Sequence, residues 1–233
     1  YFPLQAKNET KVPTLRAMLI NVNTQSGDPQ LVKGVVQKVD PDILLLEEIN
    51  SEWLEGLQWL GATHPYSHVR TREDNFGIGL FSKYPLTENE TVYVGSSMVP
   101  TILATVKTNQ GELRVIGTHP LPPTSASYSS RRNDHLQHLS DHTQSSLPLL
   151  LLGDLNTTPW NTHFKTLLSQ TGLLNSSRGF GIQPTWPSFF PIMSIPLDHC
   201  LHSSTITVVN REVGPDSGSD HYPIIVDFSF GEL

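Results

Sequence analysis

One cysteine, Cys200, is present in 233 residues. That excludes an internal disulfide framework and a zinc cluster built on thiolates. Charge is also sparse: charged residues make up 16% of the chain, and 15 basic against 22 acidic residues leave a formal charge of −7. There is no basic excess of the kind that sequence-independent DNA binding requires. With 37% of its residues hydrophobic, the chain is too apolar for a disordered tail. No apolar run reaches the roughly 18 residues needed to cross a bilayer; the longest, Leu147 to Leu152, contains Pro148. No internal repeat or low-complexity block is visible. The acidity does not argue against a phosphate-processing enzyme, because a metal site needs carboxylates and the bound cation can reverse the local field.

The chain begins at Tyr1. Residues 1–13 are polar, carry two prolines and read as a trimmed linker ahead of a single domain over 14–233. Short apolar runs predict strands at Leu15–Ile20, Ile43–Leu46, Gly77–Ser82, Ile102–Lys107, Glu112–Thr118, Leu149–Leu152, Leu197–Leu201, Thr205–Val209 and Tyr222–Phe228. Asn109-Gln110-Gly111 supplies a hairpin turn. Helices are expected over Gly27–Val39, Glu52–Leu60, Ser129–Thr143 and Thr162–Gln170. Strands and helices are mixed, with an antiparallel hairpin between them, which points to an α/β sandwich rather than a purely parallel sheet.

Polar residues recur just beyond the apolar strands. Asn21 follows the first, Glu47 and Glu48 the second, His119 the fifth, and Asp154 and Asn156 the sixth; Asp198 and His199 follow Ile195-Pro196-Leu197, and Asp220 and His221 precede the last. Each has an ordinary structural reading as turn former, helix cap or surface polarity. Six such placements in one chain point instead to a shared rim. Oxygen donors without thiolates suit Mg²⁺ or Mn²⁺, and His119 and His221 can donate protons to phosphate oxygens or exchange them with water. The inventory fits metal-assisted hydrolysis of a phosphoester.

The succession Asn21; Leu46-Glu47-Glu48; Gly117-Thr118-His119-Pro120; Gly153-Asp154-Leu155-Asn156; Leu197-Asp198-His199; Gly218-Ser219-Asp220-His221-Tyr222-Pro223 resembles the endonuclease/exonuclease/phosphatase superfamily. This group is related to deoxyribonuclease I, exonuclease III-type endonucleases, neutral sphingomyelinases and inositol-polyphosphate 5-phosphatases. The resemblance implies a four-layer α/β/β/α sandwich of two packed mixed sheets. It implies Glu48 as the principal metal ligand, with Asn21 and Asp220. It implies that Asp154 orients or deprotonates water, that Asn156 holds phosphate or metal, that Asp198 pairs with His221, and that His119 contacts a phosphate oxygen. The expected substrate is a nucleic acid, a phospholipid headgroup or a small phosphate ester, acted on by a monomer with no obligate protein partner. The alternative is a non-catalytic metal- or phosphate-binding module of the same fold.

Two details depart from the common pattern. Glu47 stands where the family commonly has Gln. The stiff Pro120-Leu121-Pro122-Pro123, together with Thr185-Trp186-Pro187, resembles bacterial membrane-linked members, so an extracytoplasmic domain of such a protein is the expected setting. Elsewhere, His135, His138 and His142 can share a helix face, where a polar helix with Leu136 and Leu139 inward is the favoured reading over a metal site. One of Glu73, Asp74 and Asn75 is a candidate to orient His119. Cys200 reads as a buried, inert thiol.

Overall fold

A computed structural model describes residues 14–231, so the expected linker over 1–13 lies outside the described residues. Twelve strands form two six-stranded sheets. The first contains β1 (Leu15–Asn21), β2 (Ile43–Glu47), β3 (Tyr66–Arg70), β4 (Ile78–Ser82), β11 (Thr207–Val213) and β12 (Ile224–Ser229), in the order β11-β12-β1-β2-β4-β3. The second contains β5 (Leu86–Tyr93), β6 (Pro100–Thr108), β7 (Gly111–Thr118), β8 (Leu149–Asp154), β9 (Leu174–Asn175) and β10 (Asp198–His202), in the order β5-β6-β7-β8-β10-β9. Each sheet has one parallel pair at its heart, β1 with β2 and β7 with β8; the other pairings are antiparallel. The parallel pairs are joined through helices α1 (Pro29–Val39) and α3 (Ala126–His138).

The four layers follow from the period-two alternation of strand side chains. In β1 and β2, Ala17, Leu19, Ile43 and Leu45 point inward, where they meet Ile102, Ala104, Val115, Leu150 and Leu152 of the second sheet. Their neighbours Met18, Ile20, Leu44 and Leu46 point outward against Val32, Val35, Val36 and Val39 of α1 and Trp53 of α2 (Ser51–Gly56). The second sheet repeats this: Leu103, Ile116, Leu149 and Leu151 pack under Leu136 of α3 and Phe164 and Leu167 of α4 (Thr162–Thr171). Strands buried on both faces read as continuous apolar runs, which is why Ile43–Leu46 and Leu149–Leu152 stand out in the sequence. The result is an α/β/β/α sandwich of two mixed sheets, as expected.

The sequence reading misses β3, β5 and β9. Strands β3 and β5 lie at sheet edges with most side chains exposed or half-buried, so no apolar alternation marks them. The expected helix Ser129–Thr143 begins earlier, at Ala126, where Ser125 caps it by accepting from the Tyr128 N–H. It tightens into a 3₁₀ turn over Leu139–His142. His135 is fully buried while His138 is exposed, so the three histidines do not form a metal-binding face.

One expectation is corrected here. Among the described residues no helix is long and apolar enough to cross a membrane. The longest, α3, has 13 residues and is polar, so the expected membrane-linked setting has no support in the fold.

Candidate active site

The site forms where β1, β2, β7, β8 and β10 reach one edge of the paired sheets. Close backbone approach makes it possible. A Cβ on Gly153 would lie 1.9 Å from the Thr118 carbonyl oxygen and 3.3 Å from Glu47 Oε1. Glycine before Asp154 therefore lets β8 close over the end of β7.

The Asp154 carboxylate is the meeting point. Its Oδ1 accepts from the Asn156 N–H at 2.9 Å. Its Oδ2 lies 3.6 Å from His119 Nε2, 3.7 Å from His221 Nε2 and 3.5 Å from Asn21 Nδ2. Asn21 Nδ2 also donates to Glu48 Oε1 at 3.0 Å, which ties the first sheet's carboxylate to the second sheet's. Glu48 sits in the left-handed region with φ 64°, an uncommon conformation for a non-glycine residue that local bonds must hold. Thr24 supplies them: its Oγ1 donates to the Glu48 carbonyl at 2.6 Å and its N–H to Glu48 Oε2 at 3.3 Å. Asn156 is also left-handed, at φ 49°. Its amide donates to the Pro120 carbonyl at 2.9 Å, and its own carbonyl accepts from the buried Arg132.

His221 Nδ1 and Asp198 Oδ2 are 2.9 Å apart. Asp198 faces Asp154 across the antiparallel β10/β8 pairing, which sets both carboxylates beside the imidazole. Asp154, Asp198 and His221 each offer a ligand atom within 4.8 Å of the others, a buried cluster that can bind a divalent metal. Asp220 is tethered from two sides: Asn23 Nδ2 donates to Oδ1 at 2.7 Å and Trp186 Nε1 to Oδ2 at 3.0 Å.

Burial and charge set the protonation states. Burial alone would lower His221, but the charges of Asp198 and Asp154, the Asp198 hydrogen bond and Asp220 raise it to about 10. Asp198 is held below its ordinary value: burial opposes this, and the His221 charge and hydrogen bond outweigh it. His119 is pushed down to about 3 by burial, reinforced by the His221 charge. Burial drives Asp154 up to about 7 against the pull of His221, and it raises Glu48. Glu47, fully buried, is raised well above the ordinary range by burial and by Asp154. The carboxylates thus exceed the cations available to balance them, and these oxygen-rich donors fit a hard divalent cation.

The structure brings together all eight residues singled out in the sequence, Asn21, Glu48, His119, Asp154, Asn156, Asp198, Asp220 and His221. It adds several that sequence reasoning missed. Asn23, Thr24 and Trp186 hold Asp220 and Glu48. Thr185 Oγ1 accepts from the Asp198 N–H at 3.3 Å. Buried His135 links Thr118 Oγ1 at 2.8 Å to Ser97 Oγ at 2.7 Å, beneath the His119 turn. Of the loop before β4, neither Glu73 nor Asp74 reaches His119: Glu73 accepts from Ser51 and Asp74 pairs with Arg72. Phe76 lies against it instead, with ring centroids 5.5 Å apart. Glu47 faces inward, where its Oε2 accepts from the Asp154 N–H at 3.0 Å. Cys200 is buried, and burial pushes its thiol up to about 12, so it is inert as a nucleophile.

A profile of the endonuclease/exonuclease/phosphatase family matches residues 18–221. The fold and the site thus define a phosphoesterase- or nuclease-type protein with clustered Asp and His residues able to bind metal. The chain belongs to the endonuclease/exonuclease/phosphatase family. Solved structures share its fold at low identity. A family protein from Beutenbergia cavernae is 20% identical, with TM-score 0.76, covering 94% of this chain and 72% of its own. TDP2 from D. rerio, solved with a single-strand DNA product, is 15% identical, with TM-score 0.75, covering 93% and 99%. Sphingomyelinase C from Streptomyces griseocarneus is 15% identical, with TM-score 0.69, covering 93% and 99%. No curated protein sequence matches the chain. The expected bacterial membrane-linked subtype is corrected on this ground also: the similar structures come from bacteria and from D. rerio alike.

Proposed function

We propose that the protein is a divalent-cation-dependent hydrolase of phosphoester bonds, using Mg²⁺ or Mn²⁺. The observation that carries the reading is the surround of Asp154 Oδ2: two imidazole nitrogens and one amide nitrogen lie within 3.7 Å of it, from both sheets. Glu48 would be the principal ligand, with Asn21 and Asp220 beside it. Glu48 is held in place by Asn21 and Thr24, whereas both oxygens of Asp220 already accept hydrogen bonds. A bound cation would polarise the phosphoryl group and compensate the excess of carboxylate charge.

The remaining steps belong to the chain. Asp154 would orient a water molecule and take its proton. Asn156, fixed through its own amide and carbonyl, would hold a phosphate oxygen or the metal. Asp198 fixes the ring of His221 and favours its charged form, so that Nε2 faces the substrate position as a proton donor. His119, kept neutral, would donate a hydrogen bond to a second phosphate oxygen. Preorganised positive charge and donors around the expanding phosphoryl group would supply most of the acceleration.

The test is a divalent-metal panel on plasmid DNA, RNA, bis(4-nitrophenyl) phosphate, sphingomyelin and inositol phosphates, with His221→Ala as control. Chelator-sensitive hydrolysis that collapses in the variant is expected. Metal binding by calorimetry without turnover of any substrate would support the non-catalytic module instead.

A further inference from the structure

Among the described residues, the six most exposed large apolar side chains are Ile192 (89%), Phe189 (79%), Met193 (64%), Met98 (60%), Ile182 (59%) and Trp160 (55%). Ile192 and Met193 lie in a short 3₁₀ turn over Pro191–Met193, and the other four lie on loops. Met98 precedes β6, and its carbonyl accepts from Arg72. Trp160 stands four residues beyond Asn156. The rest flank or crown the loop from Trp186 to Ser194, where Phe190 is exposed as well.

That loop is fastened to the site at its base. Trp186 Nε1 donates to Asp220 Oδ2 at 3.0 Å and the Ser188 N–H to the Asp220 carbonyl at 2.8 Å. Ser188 Oγ donates to the Ser219 carbonyl at 2.7 Å, and Tyr222 Oη to the Ser188 carbonyl at 3.1 Å. Ser194 Oγ closes the loop on the Pro187 carbonyl at 2.6 Å. The crest is therefore held outward next to Asp220 and His221. From Arg178 to Asp198 the intervening sequence holds no charged residue.

Exposed apolar surface of this kind marks an interaction site. Its shape and chemistry select the partner. The side chains stand exposed on a short tethered turn, suited to a deformable apolar medium. Phenylalanine with aliphatic neighbours and prolines, free of charge, suits shallow insertion at a lipid–water boundary. A nucleic acid would call for cations. Arg72 is paired with Asp74, and Arg131 donates to the carbonyls of Ser96 and Ser97. A net charge of −7 favours a zwitterionic over an anionic surface.

We infer that the Phe189–Met193 crest inserts into a zwitterionic phospholipid surface and delivers the phosphoester of a lipid headgroup to the adjacent site. This rests on the hydrolase reading above and names its substrate class. In the reaction one headgroup P–O ester bond breaks, water adds its hydroxyl to phosphorus, and the remaining proton passes to the departing oxygen.

The test is co-sedimentation of wild-type protein and a Phe189→Ser/Ile192→Ser double variant with phosphatidylcholine/sphingomyelin vesicles. Turnover of the vesicles and of soluble bis(4-nitrophenyl) phosphate is measured alongside with Mg²⁺. Wild type should sediment, the double variant should bind about tenfold less or weaker still, and vesicle turnover should fall in step while soluble turnover is unchanged. Wild type remaining in the supernatant, or a variant that sediments equally, would overturn the inference. So would a wild-type dimer in analytical ultracentrifugation that the variant loses, since a second copy would then cover the crest. Vesicle binding without turnover of either substrate overturns the hydrolase reading and leaves the docking surface standing.

Discussion

His119 and His221 approach the same carboxylate oxygen at nearly the same distance, 3.6 and 3.7 Å, yet the two sides of the site hold them in opposite charge states. On the β7 side, His119 has an apolar ring neighbour in Phe76 and a buried Nδ1 without a hydrogen-bond partner. Its pKa falls to about 3. On the β10 side, His221 has Asp198 on its Nδ1, and its pKa climbs to about 10. The lesson is that burial alone does not decide the state of an imidazole. A carboxylate at hydrogen-bond distance does, and the charged ring it creates then helps to keep the other neutral. In the proposed mechanism one face of the phosphoryl group would gain a proton donor and the other a neutral hydrogen-bond donor.

The largest effect should come from removing what the two sides share. Asp154→Asn keeps the shape but loses the base, and kcat should drop by about 10³–10⁴; a drop of less than tenfold would remove Asp154 from the centre of the comparison. Next come the histidines themselves. His221→Ala should cost roughly 10²–10⁴ in kcat, and Asp198→Asn should follow it because the ring loses its orientation and charge. His119→Gln, which retains a donor, should cost less than either. Equal losses at His119 and His221 would break the asymmetry.

Stability against pH separates the sides without any substrate. His221 has a folded pKa above its ordinary value, so its contribution is complete below about 6.5 and disappears as pH rises through about 10. His119 has a lowered pKa, so the fold loses stability as pH falls from about 6.5 towards 3. Thermal unfolding of metal-free protein should show wild type well above His221→Gln at pH 6, with the gap closing towards pH 10. His119→Gln should gain on wild type as pH falls from 6.5 towards 4. Each kcal/mol corresponds to roughly 2–4 °C for a chain of this size.

The smallest effect is expected at Glu47→Gln. Glu47 Oε2 accepts from the Asp154 N–H, and an amide oxygen can do the same. Activity should fall by less than about threefold, well under the one kcal/mol or so of a lost hydrogen bond. A loss comparable to Asp154→Asn would show that Glu47 acts in the reaction.

Much of this site was legible before the fold was known, because strands buried on both faces produce unbroken apolar runs, and polar residues just after each run lie on the sheet edge. Asn21 and Asp154 announce themselves in this way, whereas Glu48, behind the inward-facing Glu47, and His119, behind Thr118, are singled out by the family resemblance. The residues that position them do not announce themselves. Asn23 reaches Asp220 across 197 positions of sequence, and Trp186 reaches it across 34, so neither leaves a local signal. His135 looked like a member of a polar helix face, yet it is buried between Thr118 and Ser97. Edge strands β3 and β5 escaped because exposed strands need no apolar alternation. The expected membrane-linked setting failed for another reason: it rested on short proline-containing segments, and nothing in their packing bears on a membrane span.

The central claim is that Asp154, between a charged and a neutral imidazole, serves a cation-dependent hydrolysis. Its most direct test is the initial rate of bis(4-nitrophenyl) phosphate hydrolysis against Mg²⁺ concentration for wild type and Asp154→Asn. Wild type should show a saturable, chelator-abolished rate that the variant lacks. A wild-type rate independent of Mg²⁺ and Mn²⁺, or a variant that turns over as fast as wild type, would contradict the account.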